Sequence, residues 1–158
     1  MRRLPFAGDS FALIVSPSTL DHFADPNDLG LSLRELGRIL AAGGRLIITL
    51  DNRQNIFDPL LRLANKLKLT PYYLGRSYRI DELCVELEAA GFTVEEKTAI
   101  LHNPRLVAVA MVKIAGVLNW PPLTRLVRTG LLTAQRLEHS RWCYFTGSFI
   151  AVKASRTR

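Results

Sequence analysis

The chain has 158 residues, of which 48% are apolar and 22% are charged, a balance typical of one globular domain with a buried core. This composition excludes a disordered chain. The net charge of +7 is unevenly placed, because residues 105–158 carry nine Lys or Arg against Glu138 alone, whereas residues 1–104 are close to neutral. The basic last third is therefore the main compositional indication of a partner.

The cysteines and the N-terminal segment indicate a reducing, cytoplasmic setting. Cys84 and Cys143 lie far apart in apolar-patterned segments, which predicts buried, reduced thiols and neither a disulfide nor a metal site. Gly-Asp-Ser at residues 8–10 interrupts the first apolar run, so we expect no secretory signal. The longest apolar stretch, 106–118, contains Lys113 and is too short to span a bilayer.

The first fifty residues predict a strand, a helix and a second strand. The continuous apolar run 11–15 is typical of a strand buried on both faces of a parallel sheet, and Pro17 ends it. Apolar residues recur at helical spacing over 29–40, and Gly43-Gly44 then supplies the backbone freedom that a helix C-cap prefers. Residues 45–50 predict a second buried strand. A parallel βαβ unit is therefore expected.

Helices dominate the rest of the chain. Asp58-Pro59 predicts a helix start, with Asp58 as N-cap and the proline in the first turn. A second amphipathic helix is predicted over 80–90, followed by a strand over 92–96. A helical block is predicted over 104–140, with a hinge at Trp120-Pro121-Pro122, and residues 144–152 predict a final strand.

Five short motifs carry a family resemblance through their order and spacing: Leu4-Pro5-Phe6, Asp9-Ser10-Phe11, Glu35 with Arg38-Ile39-Leu40, Gly43-Gly44, and Ala90-Gly91-Phe92. Over roughly residues 1–99 and the final strand, the chain resembles class I S-adenosylmethionine-dependent methyltransferases of the small-molecule, type 11-like kind. It departs from the family pattern at Ala12, where Asp is usual, at Asp21-His22, where two histidines are usual, and at Ala41-Ala42, where Lys-Pro is usual.

The resemblance implies an α/β, Rossmann-like sheet of seven strands, of which this chain supplies the fourth to the seventh. Their order would be fourth, fifth, seventh, sixth, with the last strand antiparallel. Residues 1–158 would then be the C-terminal part of a methyltransferase domain, with 104–140 as an inserted helical hairpin. The first strand would lie at an open apolar edge, and such an edge predicts self-association.

The resemblance also implies S-adenosylmethionine as cofactor. Backbone groups at Ser16, Pro17, Ser18 and Leu20 would line its methionine part, at the carboxyl end of a strand. In the family, a glycine-rich turn and two acidic residues hold the rest of the cofactor. The turn is not found in this sequence, and the acidic residue that recognises adenine would fall immediately before Met1. We therefore expect the 158 residues alone not to bind the cofactor at micromolar level.

Catalytic and substrate-binding residues are expected on the same rim. His22, or Asp21 beside it, is a candidate general base toward a substrate hydroxyl or amine, although a loop or capping role is the alternative. Asp51, Asn52 and Arg53 follow the second strand, where substrate contacts would lie. Three tyrosines either shape a substrate pocket or only cover the sheet: Tyr72, Tyr73 and Tyr78.

The helical block 104–140 has three interpretations. It is a packed cap over the sheet, a lid whose apolar face meets a lipophilic small-molecule substrate while its arginines meet anionic lipid or phosphate, or a nucleic-acid site. The overall prediction is a cytoplasmic methyltransferase, with peripheral membrane contact through 104–140 as an option. The alternative is a non-catalytic module whose basic hairpin binds a membrane surface or a partner protein.

Overall fold

A four-stranded mixed sheet forms the centre of the computed structural model, which describes residues 3–23, 25, 27–69, 75–103 and 105–157. The strands are β1 (Phe11–Pro17), β2 (Leu40–Asp51), β3 (Phe92–Ile100) and β4 (Phe149–Arg156), in the spatial order β1-β2-β4-β3. β1 pairs parallel to β2, and β4 is antiparallel to both of its neighbours. The α/β class and the predicted strand order, with its antiparallel last strand, are confirmed.

Within the described residues, six α-helices connect or flank the strands: α1 (Asn27–Ile39), α2 (Asp58–Lys66), α3 (Ile80–Ala89), α4 (Arg105–Leu118), α5 (Pro121–Ala134) and α6 (Cys143–Thr146). Two short 3₁₀ helices cover Leu20–His22 and Gln135–His139. α4 and α5 pack against each other as the helical hairpin predicted between β3 and β4.

The core lies on one face of the sheet, under α1 and α3. Each strand turns alternate side chains toward it, and in β4 Ile150, Val152 and Ala154 are fully or almost fully buried. α1 and α3 contribute the matching apolar stripes, including Leu33 and Leu83.

The other face of the sheet is split into two halves. Over β3 and β4 it is polar, and Lys153 binds Glu95 and Glu96 there. Over β1 it is apolar and exposed, since Leu13 and Val15 keep 53% and 57% of their surface. The run 11–15 is therefore not buried on both faces. The outcome matches the expectation of an apolar strand at an incompletely covered edge.

Several predicted boundaries are wrong. α1 already ends at Ile39, and Gly43-Gly44 lies inside a wide bulge of β2, because Phe11 pairs with Leu40 but Leu13 pairs with Arg45. Gly43 has a φ of +72°, and a Cβ on Gly44 would lie 2.8 Å from the carbonyl oxygen of Ala41. The glycines thus serve the bulge and not a helix cap.

The end of the chain differs as well. β4 begins at Phe149 and not at Tyr144, because residues 143–146 form the helix α6. β3 continues to Ile100, beyond the predicted 96. Asp58 is the first residue of α2 and does not cap it, since its carboxylate accepts hydrogen bonds from Ser77 and Arg62. Both cysteines are free, and Cys143 is buried whereas Cys84 is half-buried. Its partial burial raises the pKa of the Cys84 thiol.

Candidate functional site

The candidate site lies at one edge of the sheet, where three strands end. β3 is antiparallel to β4, which is antiparallel to β2, so β1, β2 and β3 all run in one direction. Their carboxyl ends, at Pro17, Asp51 and Ile100, meet at the same edge. This topology brings residues 16–22 close to residues 51–53. It also places the base of the α4–α5 hairpin at that edge, since the hairpin joins the end of β3 to the start of β4.

Asp21 ties the ends of β1 and β2 together. Its side chain is fully buried, and its Oδ2 accepts hydrogen bonds from Ser18 Oγ at 2.9 Å and from the backbone N–H of Asp51 at 3.1 Å. Ser18 is held in turn by Thr49, whose carbonyl and Oγ1 both accept from the Ser18 N–H. A carboxylate in this position fixes the turn after β1, where Ser18 has a φ of +42°.

Two buried polar atoms at this turn have no hydrogen-bond partner among the described residues. They are Ser16 Oγ and Asp21 Oδ1. Buried polar atoms nearly always have a hydrogen-bond partner. Two such atoms without a partner at one strand end are therefore a reason to look for a ligand. His22 lies beside this carboxylate: its Nε2 is 3.8 Å from Asp21 Oδ1, and its side chain is 46% exposed.

These atoms fit the polar methionine end of S-adenosylmethionine. Its ammonium group donates hydrogen bonds and its carboxylate accepts them, which matches an unpaired carboxylate oxygen and an unpaired hydroxyl. Of the other predicted cofactor residues, Leu20 has its side chain fully buried in the core, so it could offer only backbone groups. Pro17 is exposed at the strand end, in register with Thr49.

The predicted substrate residues after β2 have different surroundings. Asp51 is buried, and its carbonyl accepts a hydrogen bond from the N–H of Tyr78. The Asn52 amide donates to the carbonyls of Tyr144 and Gly147, and its Oδ1 accepts from the N–H of Gln54. These bonds occupy the Asn52 side chain and give it a structural role, holding the start of β4.

Arg53 lies outward of the same loop, partly exposed, and pairs with Glu82 at the start of α3. Its contact with substrate stays a prediction. Tyr72 and Tyr73 lie outside the described residues. Tyr78 is buried in the core, which favours the sheet-covering alternative for this tyrosine, and burial raises the pKa of its phenol.

Three features near the site are not among the predictions from sequence. Gly75 approaches the turn so closely that a Cβ there would lie 2.1 Å from the Asp21 carbonyl oxygen. That oxygen accepts from the N–H of Arg76 at 2.6 Å. His102, just beyond β3, is buried, and both of its ring nitrogens are hydrogen-bonded. Nδ1 lies 2.8 Å from Thr146 Oγ1, and Nε2 lies 2.9 Å from the Ala99 carbonyl oxygen. Only Gly75, as a lone glycine in a connector, could have been suspected from sequence.

Comparison with known proteins agrees with this architecture. Residues 1–48 match the protein family described as "Methyltransferase domain". The chain is 44% identical over 94 residues to the uncharacterized protein YafE of Escherichia coli (strain K12), a match that covers 58% of this chain and 43% of YafE.

Solved structures of similar fold include several S-adenosylmethionine-dependent methyltransferases. One from Mesorhizobium loti has a TM-score of 0.60 at 16% identity, covering 98% of this chain and 66% of that one. One from Methanosarcina mazei has a TM-score of 0.59 at 14% identity, covering 99% and 64%. Phosphoethanolamine N-methyltransferase 2 of Haemonchus contortus, in complex with S-adenosyl-L-methionine, has a TM-score of 0.56 at 12% identity, covering 97% and 35%.

The family match over residues 1–48 and the shared fold support the resemblance to class I S-adenosylmethionine-dependent methyltransferases that the sequence motifs indicate. The chain spans 43% of YafE and between 35% and 66% of these three structures. At such low identities the structural likeness concerns the fold, and it leaves substrate and partners open.

Proposed function

We propose that this chain takes part in methyl transfer from S-adenosylmethionine to a small, lipophilic molecule in the cytoplasm. The observation that carries the proposal is the pair of unpaired buried atoms, Ser16 Oγ and Asp21 Oδ1, at the strand end where the family holds its cofactor. The family match over residues 1–48 includes this strand end. The two free cysteines suit a reducing compartment.

The roles of the site residues follow from their positions. Ser16, Pro17, Ser18 and Leu20 would hold the methionine part of the cofactor, which supplies an electrophilic methyl group when bound. His22 is exposed enough to meet an acceptor, and its Nε2 lies 3.8 Å from Asp21 Oδ1. Asp51 and Arg53 would border the acceptor. Holding acceptor and methyl group in line would supply the rest of the catalysis.

A lipophilic acceptor is supported by the groove between α4 and α5. The groove has a volume of about 460 Å³, within the usual range for small-molecule pockets. Apolar or small side chains line most of it, among them Val112, Ala115, Val127 and Leu131, while Arg128 supplies a cation suited to an anionic group. The hairpin that forms the groove leaves the same sheet edge as the strand ends described above.

The test is transfer of radiolabelled methyl groups from S-adenosylmethionine to lipid extracts, using the whole translation product of the reading frame that encodes this chain. We expect label in the organic phase. His22→Gln should lower kcat about 100-fold, the lower end of the range for losing an acid–base group. Asp21→Asn should lower kcat and also weaken S-adenosylmethionine binding, because it changes the unpaired Oδ1. Calorimetric titration with S-adenosylmethionine separates the loss in kcat from a loss of cofactor binding.

Asp81→Asn is the matched control, because Asp81 is an exposed carboxylate on α3 that binds Arg79. It should retain full activity. If the whole translation product neither binds S-adenosylmethionine nor labels any extract, the proposal is wrong and a non-catalytic role takes its place. If the variants equal the control in kcat, the assignment of Asp21 and His22 is wrong.

A further inference from the structure

The α4–α5 hairpin exposes apolar side chains on nearly all sides, although it belongs to a water-exposed part of the molecule. Its main packing partners are its own two helices and the short helix Gln135–His139. Apolar side chains that remain exposed along the hairpin include Val109, Met111, Ile114, Val117, Leu118, Trp120, Leu126 and Leu132. A continuous apolar surface of this kind marks a binding site.

The apolar side chains at the tip of the hairpin are among the most exposed. Val117 and Leu118 end α4, and they are 87% and 59% exposed. Trp120, 58% exposed, stands just before α5. Tryptophan is the residue that membrane–water interfaces favour, since its ring is apolar and its N–H is polar. The two prolines that follow fix the turn, so the tip projects these side chains together.

The charges of the hairpin all have one sign. Residues 105–137 contain five Lys or Arg and no Asp or Glu. Lys113 lies five residues before the end of α4, and Arg125 lies four residues after the start of α5, so both stand about 6–8 Å back from the tip along the helix axes. Both side chains are exposed.

These distances suit the surface of a bilayer that contains anionic lipid. An interfacial helix buries its apolar face about 5–10 Å into the boundary between headgroups and acyl chains. With the tip inserted to that depth, Lys113 and Arg125 would lie at the level of the lipid phosphates. Neither helix can cross the membrane, because 14 residues make about 21 Å of helix against a hydrocarbon core of about 30 Å. Among the described residues, no helix is both long and apolar enough to do so.

We infer that the hairpin tip docks on an anionic membrane surface, a function that goes beyond methyl transfer and does not depend on it. A second copy of the hairpin is a poorer partner, because its cations would meet cations with no acidic residue in 105–137 to offset them. Nucleic acid is poorer too, since it would leave Val117 and Leu118 in water.

The experiment is flotation of the full chain with phosphatidylcholine vesicles, with and without phosphatidylglycerol. We expect flotation with the anionic vesicles and its loss in high salt. Each cation near an anionic surface contributes about fivefold to the partition coefficient. The double variant Lys113→Gln/Arg125→Gln should therefore lower it roughly 25-fold, and Trp120→Ser should lower it as well. Leu63→Ser is the matched control, because Leu63 on α2 is 54% exposed and lies outside the hairpin.

Fluorescence provides a readout that a folding defect would not imitate. The chain has two tryptophans, so in a Trp142→Phe variant the emission reports on Trp120 alone. We expect a blue shift when anionic vesicles are added and none with phosphatidylcholine only. Equal binding to both vesicle types, or undiminished binding by the double variant and Trp120→Ser, would overturn the inference. So would flotation that Leu63→Ser reduces as much as Trp120→Ser.

Discussion

At the scale of single residues, two of the family motifs are explained by contact with each other. The Glu35 carboxylate accepts a hydrogen bond from the N–H of Leu4 at 2.7 Å and binds the Arg38 guanidinium at 2.8 Å. Arg38 also donates to the Phe6 carbonyl at 2.9 Å. The i, i+3 pair on α1 therefore anchors the Leu4-Pro5-Phe6 segment, which explains why both motifs occur together.

This contact predicts that the stability of the fold depends on pH. The hydrogen bonds from Arg38 and then from Leu4 lower the pKa of Glu35 from 4.5 to about 2. A lowered pKa in the folded state stabilises the fold above pH 4.5, and this contribution is lost as the pH falls toward 2. Glu35→Gln should therefore be less stable than the native chain in urea at pH 6.

As the pH falls below 4.5, the difference between the two proteins should shrink, since the native chain loses the ionised form that the variant lacks. Urea unfolding curves at pH 6 and pH 3 test this. A difference that is constant between these pH values would show that the charge of Glu35 does not stabilise the fold. Glu88→Gln, at an exposed carboxylate on α3, is the control for a nonspecific effect of charge.

The positions of the site residues can be predicted from the sequence better than their hydrogen-bond partners can. Asp21 can be placed at a strand end from the pattern alone, because Pro17 ends the preceding apolar run. Its bond to the N–H of Asp51 joins residues 30 apart in sequence, and only the folded sheet brings them together. Asn52 shows the same limit, since its carbonyl partners lie more than 90 residues away.

At the scale of elements, β1 is the exposed margin of the sheet. In the part of the chain that the structure describes, it pairs with β2 on one side only, and the side chains of Leu13 and Val15 point to the uncovered face. An apolar edge strand invites pairing with a second copy, whereas a charge at the edge prevents it. We therefore predict that the 158-residue chain self-associates and that Leu13→Lys/Val15→Lys reduces this.

Light scattering after size-exclusion chromatography measures the effect as a shift of the mean mass toward that of the 17.7 kDa monomer. Leu60→Lys on α2, where Leu60 is 61% exposed, adds a charge away from the sheet edge and should leave the distribution unchanged. A native chain that is monomeric at every concentration would contradict the prediction.

Apolar periodicity predicts which helices and strands are present, but some of the predicted ends are wrong. The hairpin is predictable from sequence because the apolar runs and the Trp-Pro-Pro break are strong local signals, whereas the strand order follows from the family resemblance and not from periodicity. The bulge at Gly43-Gly44 is not predictable, since a glycine pair after a helix serves a cap or a bulge equally well. The start of β4 was missed because Tyr144-Phe145 favours a strand locally, whereas the carbonyls there are bound by Asn52 and Ile56.

At the scale of the whole molecule, β4 holds the sheet together. It pairs with β2 on one side and with β3 on the other, and Arg156 near its end binds Asp9 and the Leu40 carbonyl. Ile150→Ala should lower the free energy of unfolding by about 2–5 kcal/mol, because Ile150 is fully buried and the cavity cannot easily collapse.

Denaturant unfolding followed by circular dichroism measures this loss as a shift in the midpoint. Leu63→Ala, at a half-exposed position on α2, should change the free energy by no more than about 0.5 kcal/mol. Equal effects of the two substitutions would mean that β4 is not the structural centre that its pairing indicates.

The central place of β4 also has a consequence for synthesis on the ribosome. About 56 residues separate the end of β3 from the end of β4, and at usual translation rates they take about 3–11 s to add. During that interval the nascent β2 and β3 each expose a strand edge that only β4 can cover. The apolar hairpin emerges in the same interval, before the sheet can close. We therefore expect the growing chain to need a chaperone most while its last third is being synthesised, after most of its core residues have already been made.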